Sequence, residues 1–99
     1  MMTFLDEHNF HIGPSNSLCC DFKDGYSFIL FYSTKCRHCG VAQDIFKYLS
    51  DTVVGCEFGM VNLDENKRLI SLCNETTLKL EFVPMLVFFA NGTAYMMYS

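Results

Sequence analysis

Apolar residues along the middle of this chain follow two spacings, and each spacing predicts one kind of element. Tyr26 to Tyr32 is an almost uninterrupted apolar run, which is typical of a strand buried on both faces of a parallel sheet. From near Cys36 to about Leu49 the apolar residues recur at helical spacing. The residues expected to face the core on this helix are Val41, Ile45, Phe46 and Leu49. Cys56 to Leu63 indicates a second interior strand.

The second half of the chain continues this alternation. Asp64-Glu65-Asn66 predicts the start of a helix, with the two carboxylates as a helix cap and surface charge. The inward residues of this helix are expected to be Leu69, Ile70 and Cys73. Met85 to Ala90 predicts a strand, Asn91-Gly92 a hairpin turn, and Thr93 to Tyr98 an antiparallel partner. The order predicts one α/β domain over residues 1–99, with a mixed central sheet flanked by helices.

The N-terminal part gives shorter patterns. Phe10 to Ile12 predicts a first strand. After a break at residues 13–16, Ser17 is expected to cap a short helix over Leu18 to Lys23 that ends at Gly25.

Composition limits the classes of partner. The chain has 99 residues, 51% of them apolar, which suffices for one core without disulfide cross-links. Its net charge is −4 and it has no basic cluster, so nucleic acid is not an expected partner. The apolar run at 85–90 is too short to cross a bilayer, and residues 1–10 lack a signal-peptide pattern. We therefore expect no membrane partner and a cytoplasmic location.

Two of the six cysteines have a spacing that carries chemistry. Cys36-Arg37-His38-Cys39 lies where a buried strand gives way to a helix, and the unpaired N–H groups at a helix start stabilise a thiolate. A thiolate is the species that attacks a disulfide, so this spacing predicts disulfide exchange. The other thiols, expected to be free and buried or half-exposed, are Cys19, Cys20, Cys56 and Cys73.

Three elements together resemble the thioredoxin family over residues 26–98. They are the apolar strand into Cys36-Arg37-His38-Cys39, the segment Val61-Asn62-Leu63-Asp64 at the end of the next strand, and Val83-Pro84 before a strand and the Asn91-Gly92 turn. The resemblance implies a thioredoxin-like fold and thiol–disulfide oxidoreductase activity, with no cofactor and no bound metal.

The same resemblance implies the site residues. Cys36 aligns with the attacking cysteine and Cys39 with the resolving one. Pro84 aligns with the cis-proline beside the active-site pair, and the backbone of Val83 with the position that holds an extended substrate strand. Tyr32 keeps an aromatic residue of the active-site loop and joins Val83 and Pro84 in the expected substrate-binding set.

Departures from the family pattern concern the surroundings of the two cysteines. Lys35 stands where thioredoxins usually have tryptophan. Leu30 and Met60 occupy the positions of a buried aspartate and of the lysine across from it, so the family's buried proton acceptor is missing. Because both charged residues are replaced together, no unpaired charge is left in the core.

The dipeptide Arg37-His38 differs from the Gly-Pro of thioredoxin. His38 stands where protein disulfide isomerases and bacterial thiol oxidases have a histidine. A cationic imidazole, together with Arg37, would stabilise the Cys36 thiolate. We therefore expect a reduction potential above the roughly −270 mV of thioredoxin, at about −230 to −150 mV.

The C-terminal end is the largest departure, because the family usually ends with another helix. This chain stops at Ser99, just after Tyr95-Met96-Met97-Tyr98. We expect a partly open sheet face, covered by a second copy in a homodimer, by a client protein or by a rearranged N-terminal segment, unless the chain is a shortened one.

The leading hypothesis is exchange with protein disulfide or dithiol clients, after which a reductase or an oxidase recycles the two cysteines. The direction of exchange stays open between reduction, oxidation and isomerisation. Two other classes stay open as well. One is a redox-inactive binding module that uses the open sheet face. The other is a zinc-binding domain in which His8 and His11 join Cys36 and Cys39.

Overall fold

Seven strands form one mixed sheet in the computed structural model of the chain, which describes residues 2–98. In chain order the strands are β1 (Met2–Leu5), β2 (Phe10–Ile12), β3 (Leu18–Cys20), β4 (Tyr26–Tyr32), β5 (Cys56–Asn62), β6 (Met85–Ala90) and β7 (Thr93–Tyr98). The α-helices within residues 2–98 are α1 (Cys39–Thr52) and α2 (Lys67–Asn74). Across the sheet the order is β1-β5-β4-β6-β7-β3-β2, with β4 parallel to β5 and antiparallel to β6. The predicted α/β class with a mixed sheet is confirmed. The two ends of the predicted domain, Met1 and Ser99, lie outside the described residues.

Strand β4 lies in the middle of the sheet because its side chains are apolar on both faces. Ile29 and Phe31 belong to one core cluster, together with Leu69 of α2. Leu30 belongs to the other cluster, together with Phe46 of α1. The two helices therefore pack on opposite faces, and the carboxyl ends of β4 and β5 emerge between them at one edge of the sheet.

The predicted helix over Leu18 to Lys23 is wrong, because this segment begins with strand β3. β3 pairs with β2 in a hairpin, in which the N–H of Gly13 donates to Ser17 O at 2.8 Å. All three side chains of β3 are buried, and the N–H of Cys20 donates to Gly92 O at 2.7 Å. Burial and hydrogen bonds to distant backbone thus outweigh the local helical pattern. Strand β2 matches its prediction, whereas β1 was not predicted.

Helix α1 begins at Cys39, three residues later than predicted. Residues 36–38 form a turn instead, in which the N–H of Cys39 donates to Cys36 O at 3.3 Å. Phe46 is buried as predicted, and its ring meets that of Phe58 edge to face with centroids 5.4 Å apart.

The rest of the predicted inward face of α1 is wrong. Val41, Ile45 and Leu49 are 64%, 56% and 37% exposed. They stay exposed because α2, the other α-helix within residues 2–98, packs on the opposite face of the sheet. Helix α2 itself buries Leu69 and Cys73 as predicted.

Candidate active site

The candidate site lies at the edge of the sheet where β4 and β5 end and β6 begins. β4 leads into a loop of residues 33–35, and this loop places Cys36 at the surface with its side chain partly buried. The thiol of Cys36 donates a hydrogen bond to the carbonyl oxygen of Val83, with Sγ and O 3.5 Å apart. The Val83–Pro84 peptide bond is cis. The structure therefore places the predicted attacking cysteine directly beside the predicted substrate-binding backbone.

Cys39 is the first residue of α1 and is only 1% exposed. Its Sγ accepts a hydrogen bond from the N–H of Ser33 at 3.5 Å. It packs in the same cluster as Leu30 and Met60, which are also buried. Cys36 and Cys39 are both free thiols in this structure.

The two thiols differ in acidity. The pKa of Cys36 is lowered from its ordinary value of 9.0, mainly because its sulfur accepts a hydrogen bond from the Cys39 thiol. Partial burial opposes this shift, whereas the backbone N–H groups of His38 and Cys39 add to it. Burial, followed by that same hydrogen bond to Cys36, raises the pKa of Cys39 to about 11. Near neutral pH, Cys36 is therefore the thiol that ionises more readily, while Cys39 keeps its proton.

Asp64 was predicted to be part of a helix cap and surface charge, but its carboxylate instead binds the loop that precedes Cys36. Its carboxylate accepts hydrogen bonds from the hydroxyl of Ser33 at 2.8 Å, the N–H of Thr34 at 2.8 Å and the hydroxyl of Thr34 at 2.6 Å. These bonds, above all those from Thr34, lower the pKa of the Asp64 carboxyl. One sequence signal was available, because Asp64 follows an interior parallel strand, where the carboxyl ends of neighbouring strands meet.

The remaining predicted site residues make fewer contacts with the two sulfurs. The side chains of Arg37 and His38 are exposed, and within residues 2–98 neither takes part in a hydrogen bond or an ion pair. His38 acts on Cys36 through its backbone N–H, so the effect of its imidazole stays a prediction. Tyr32 is only 8% exposed and packs in the cluster that contains Cys39, so little of its ring is open to a substrate.

An apolar groove of about 280 Å³ lies between α1 and the strands β6 and β7. It is lined by Leu30, Ala42, Ile45, Phe46, Leu49, Pro84, Leu86 and Tyr98. The groove reaches Pro84 and is therefore continuous with the candidate site. Along β7, Tyr95, Met96 and Tyr98 are 70%, 48% and 50% exposed, as expected for an open sheet face. Whether a second copy covers this face stays a prediction.

The other four cysteines lie apart from the candidate pair and are also free thiols. Cys19, Cys20 and Cys73 are buried, and Cys56 is partly buried. Burial raises the pKa of Cys73 to about 12. Cys73 is consequently a poor nucleophile near neutral pH.

The zinc hypothesis lacks a set of ligands. Within residues 2–98, no three histidine, cysteine, aspartate or glutamate side chains lie close enough to hold a metal ion. His8 and His11 therefore do not join Cys36 and Cys39 in a metal site. In this same part of the chain, neither helix has the length and apolar character needed to span a membrane.

Comparison with known sequences finds viral relatives. No family model matches the chain. The uncharacterized protein 196R of Invertebrate iridescent virus 6 is 33% identical over 72 residues, and 020R of Invertebrate iridescent virus 3 is 30% identical over 73 residues. These alignments cover 73% and 71% of the chain but only 41% and 43% of the relatives. The chain therefore matches less than half the length of each relative.

Comparison with solved structures finds thioredoxins. A thioredoxin variant from Halobacterium salinarum superposes with a TM-score of 0.69 at 17% identity, over 98% of this chain and 75% of that one. The thioredoxin of Malassezia sympodialis gives 0.66 at 24% identity, over 79% and 67% of the two chains. That of Fasciola hepatica gives 0.64 at 20% identity, over 80% and 71%. Identities this low establish a shared fold and nothing further.

Proposed function

We propose that this chain, which has a thioredoxin-like fold, catalyses thiol–disulfide exchange on protein substrates through Cys36 and Cys39. The observation that carries the proposal is the difference between its two neighbouring thiols. Cys36 is partly open to solvent and has a lowered pKa, whereas Cys39 is buried behind it with a pKa of about 11. Disulfide exchange needs two thiols of different acidity, because one must attack the client as a thiolate while the other stays protonated until the mixed disulfide has formed.

The reaction proceeds in two substitutions at sulfur. The Cys36 thiolate attacks one sulfur of a client disulfide, so that a Cys36–client disulfide forms and the second client sulfur leaves as a thiolate and takes up a proton. Cys39 then loses its proton to solvent and attacks the Sγ of Cys36. The mixed disulfide breaks, its client sulfur leaves as a thiolate and takes up a proton, and a Cys36–Cys39 disulfide forms, so that two electrons have passed to the client. Run backwards, the same steps oxidise a dithiol client.

Val83 supports the approach of a client chain. Its carbonyl oxygen lies 3.5 Å from the Sγ of Cys36 and next to the cis peptide bond of Pro84. A client in extended conformation that pairs with the backbone of Val83 would bring its own sulfur to Cys36. The clients in this proposal are proteins that hold a disulfide or a dithiol in an accessible, extended segment. A separate reductase or oxidase recycles Cys36 and Cys39.

A trapping experiment tests the exchange mechanism. The Cys39→Ser variant, mixed with insulin as a disulfide probe, is expected to form a covalent adduct that dithiothreitol releases. Cys73→Ser is the matched control, because it also removes one buried thiol but leaves the site intact, and it should form no lasting adduct. Cys36→Ser should form none either. Absence of an adduct from Cys39→Ser, while iodoacetamide still modifies its Cys36, rejects the mechanism.

We propose further that the couple is more oxidising than thioredoxin. The lowered pKa of Cys36 supports this, since stabilising the thiolate stabilises the reduced form. Equilibration with glutathione redox buffers is expected to give about −230 to −150 mV. A potential at or below roughly −270 mV contradicts the proposal.

A second candidate function is a binding module without redox activity. The observation that favours it is the apolar groove that reaches Pro84, since such grooves hold partner chains. If this function is correct, replacing both Cys36 and Cys39 by serine should leave the affinity for a partner unchanged. The parent protein should then also fail to reduce insulin.

A further inference from the structure

The carboxylate of Asp64 is fully engaged with the loop that precedes Cys36. Oδ1 accepts the hydroxyl of Ser33, and Oδ2 accepts both the N–H and the hydroxyl of Thr34. All three distances lie between 2.6 and 2.8 Å, which is the range of charge-assisted hydrogen bonds. Within residues 2–98, Asp64 forms no ion pair, so these bonds are its direct partners.

Ser33 connects this carboxylate to the buried thiol. Its hydroxyl donates to Asp64, while its N–H donates to the Sγ of Cys39 at 3.5 Å. The same hydroxyl accepts the N–H of Lys35 at 3.2 Å, and the carbonyl oxygen accepts the N–H of Cys36 at 3.3 Å. Ser33 is therefore held by several hydrogen bonds, and the one from its hydroxyl to Asp64 is the shortest of them.

Leu30 and Met60 pack in the same apolar cluster as Cys39 and are 4% and 0% exposed. The charge of Asp64 is one of the causes that raise the pKa of Cys39, after burial and the hydrogen bond with Cys36. The carboxylate that influences this thiol thus lies on the loop side of the site, and not within the sheet.

We propose that Asp64 is a positioning residue for the resolving cysteine, holding Ser33 so that its N–H is directed at the Cys39 sulfur. This inference rests on the proposed exchange function. Its consequence is specific to one step. Attack of Cys39 on the mixed disulfide depends on Asp64, whereas the first attack by Cys36 depends on it much less.

The two steps can be followed separately with 5,5′-dithiobis(2-nitrobenzoate). Attack by Cys36 releases one coloured thiolate and leaves the other half bound to its sulfur. Attack by Cys39 then releases the second coloured thiolate and leaves the Cys36–Cys39 disulfide. In stopped-flow traces each substitution therefore appears as its own release, after subtraction of the slow background of Cys36→Ser.

Asp64→Ala is expected to slow the second release by on the order of tenfold to a hundredfold, the cost of a misplaced reacting group, and to change the first by much less. Ser33→Ala removes one of the three bonds and should give a smaller loss of the same step. Glu65→Gln is the matched control, because its carboxylate lies next along the chain but, within residues 2–98, accepts a hydrogen bond from the Asn62 side chain alone, at 3.3 Å. It should leave both releases unchanged.

A pH profile separates positioning from a general loss of structure. The titratable groups near Cys39 are Cys36, Asp64 and the Tyr32 phenol. Asp64→Asn removes the charge and replaces one acceptor oxygen with a donor NH2, so at least one of the three hydrogen bonds is lost and the second release should be slower. Because the charge that raises the pKa of Cys39 is gone, this release should also reach half its maximum at a lower pH than in the parent protein. If Asp64→Ala does not fold, this variant and Ser33→Ala carry the test.

The outcomes distinguish the two proposals. Normal first and second releases in folded Asp64 and Ser33 variants overturn the role of Asp64 and leave the exchange function standing. Absence of the first release from the parent protein overturns the exchange function itself. Equal slowing of both releases also overturns the inference, because it indicates a general loss of structure.

Discussion

Leu30 and Met60 provide a test of how the core behind Cys39 is built. They lie opposite each other in the parallel strands β4 and β5 and are 4% and 0% exposed. Both occupy positions that the thioredoxin resemblance assigns to a charged pair. We predict that Leu30→Asp and Met60→Lys each destabilise the protein strongly, and that the double variant loses less than the sum of the two.

The expected magnitude follows from burial. Each single change gives up about 2 kcal/mol of hydrophobic transfer. It also leaves a buried charge without a partner, at a cost of about 3–5 kcal/mol. A single variant should therefore lose about 5–7 kcal/mol, from a total that for ordinary domains is about 5–15 kcal/mol. In the double variant the two new groups face each other, and a coupling of about 1–3 kcal/mol should be recovered.

Urea unfolding of the reduced variants, followed by circular dichroism, gives the four corners of the double-mutant cycle. Leu30→Met and Met60→Leu are controls of similar volume and should each cost less than about 1.5 kcal/mol. A carboxyl buried at position 30 has a pKa above its unfolded value, so the Leu30→Asp variant should be less destabilised at pH 4 than at pH 8. The reasoning would be refuted if each single variant lost less than about 1 kcal/mol of unfolding free energy, or if the two losses simply added in the double variant. Either result would mean that water reaches positions 30 and 60 behind Cys39.

Two further predictions concern the thiols and the open face. Iodoacetamide should modify Cys36 at a lower pH than an ordinary cysteine, and Cys39→Ala should move that pH upwards, because the largest cause of the lowered Cys36 pKa is lost; unchanged alkylation profiles would contradict this. If a second copy covers the sheet face, sedimentation equilibrium should show a dimer that Ile45→Glu in the groove dissociates. Val54→Glu is the control, because Val54 lies beyond the end of α1 and is 92% exposed, so this variant should remain a dimer. A parent protein that is monomeric at all concentrations would contradict the homodimer.

The central part of the fold could be predicted because its signals are local. β4, β5 and β6 are buried strands, and burial leaves continuous apolar runs that are visible without tertiary information. The Cys36–Cys39 spacing at the junction of strand and helix likewise stands in the chain itself. These features locate the sheet, the two α-helices and the candidate pair of thiols.

The errors concern features that depend on distant partners. Leu18 to Cys20 becomes a strand because its backbone pairs with that of β2, and because the N–H of Cys20 donates to the carbonyl oxygen of Gly92. The exposure of Ile45 depends on which elements lie beside α1. The contact between Ser33 and Asp64 joins positions 31 residues apart. No spacing along the chain encodes these neighbours.

The start of α1 at Cys39, which the sequence did not predict, helps to explain why the two thiols differ in acidity. Had the helix begun at Cys36, both cysteines would have stood in its first turn. Because it begins at Cys39, Cys36 stays in the preceding turn, where the N–H groups of His38 and Cys39 act on its sulfur from the helix start. Cys39, one helical turn further into the protein, lies against Leu30 and Met60 and keeps its proton. The start of α1 at Cys39 thus separates a thiol with a lowered pKa from one with a raised pKa, which is the asymmetry that the proposed disulfide exchange requires.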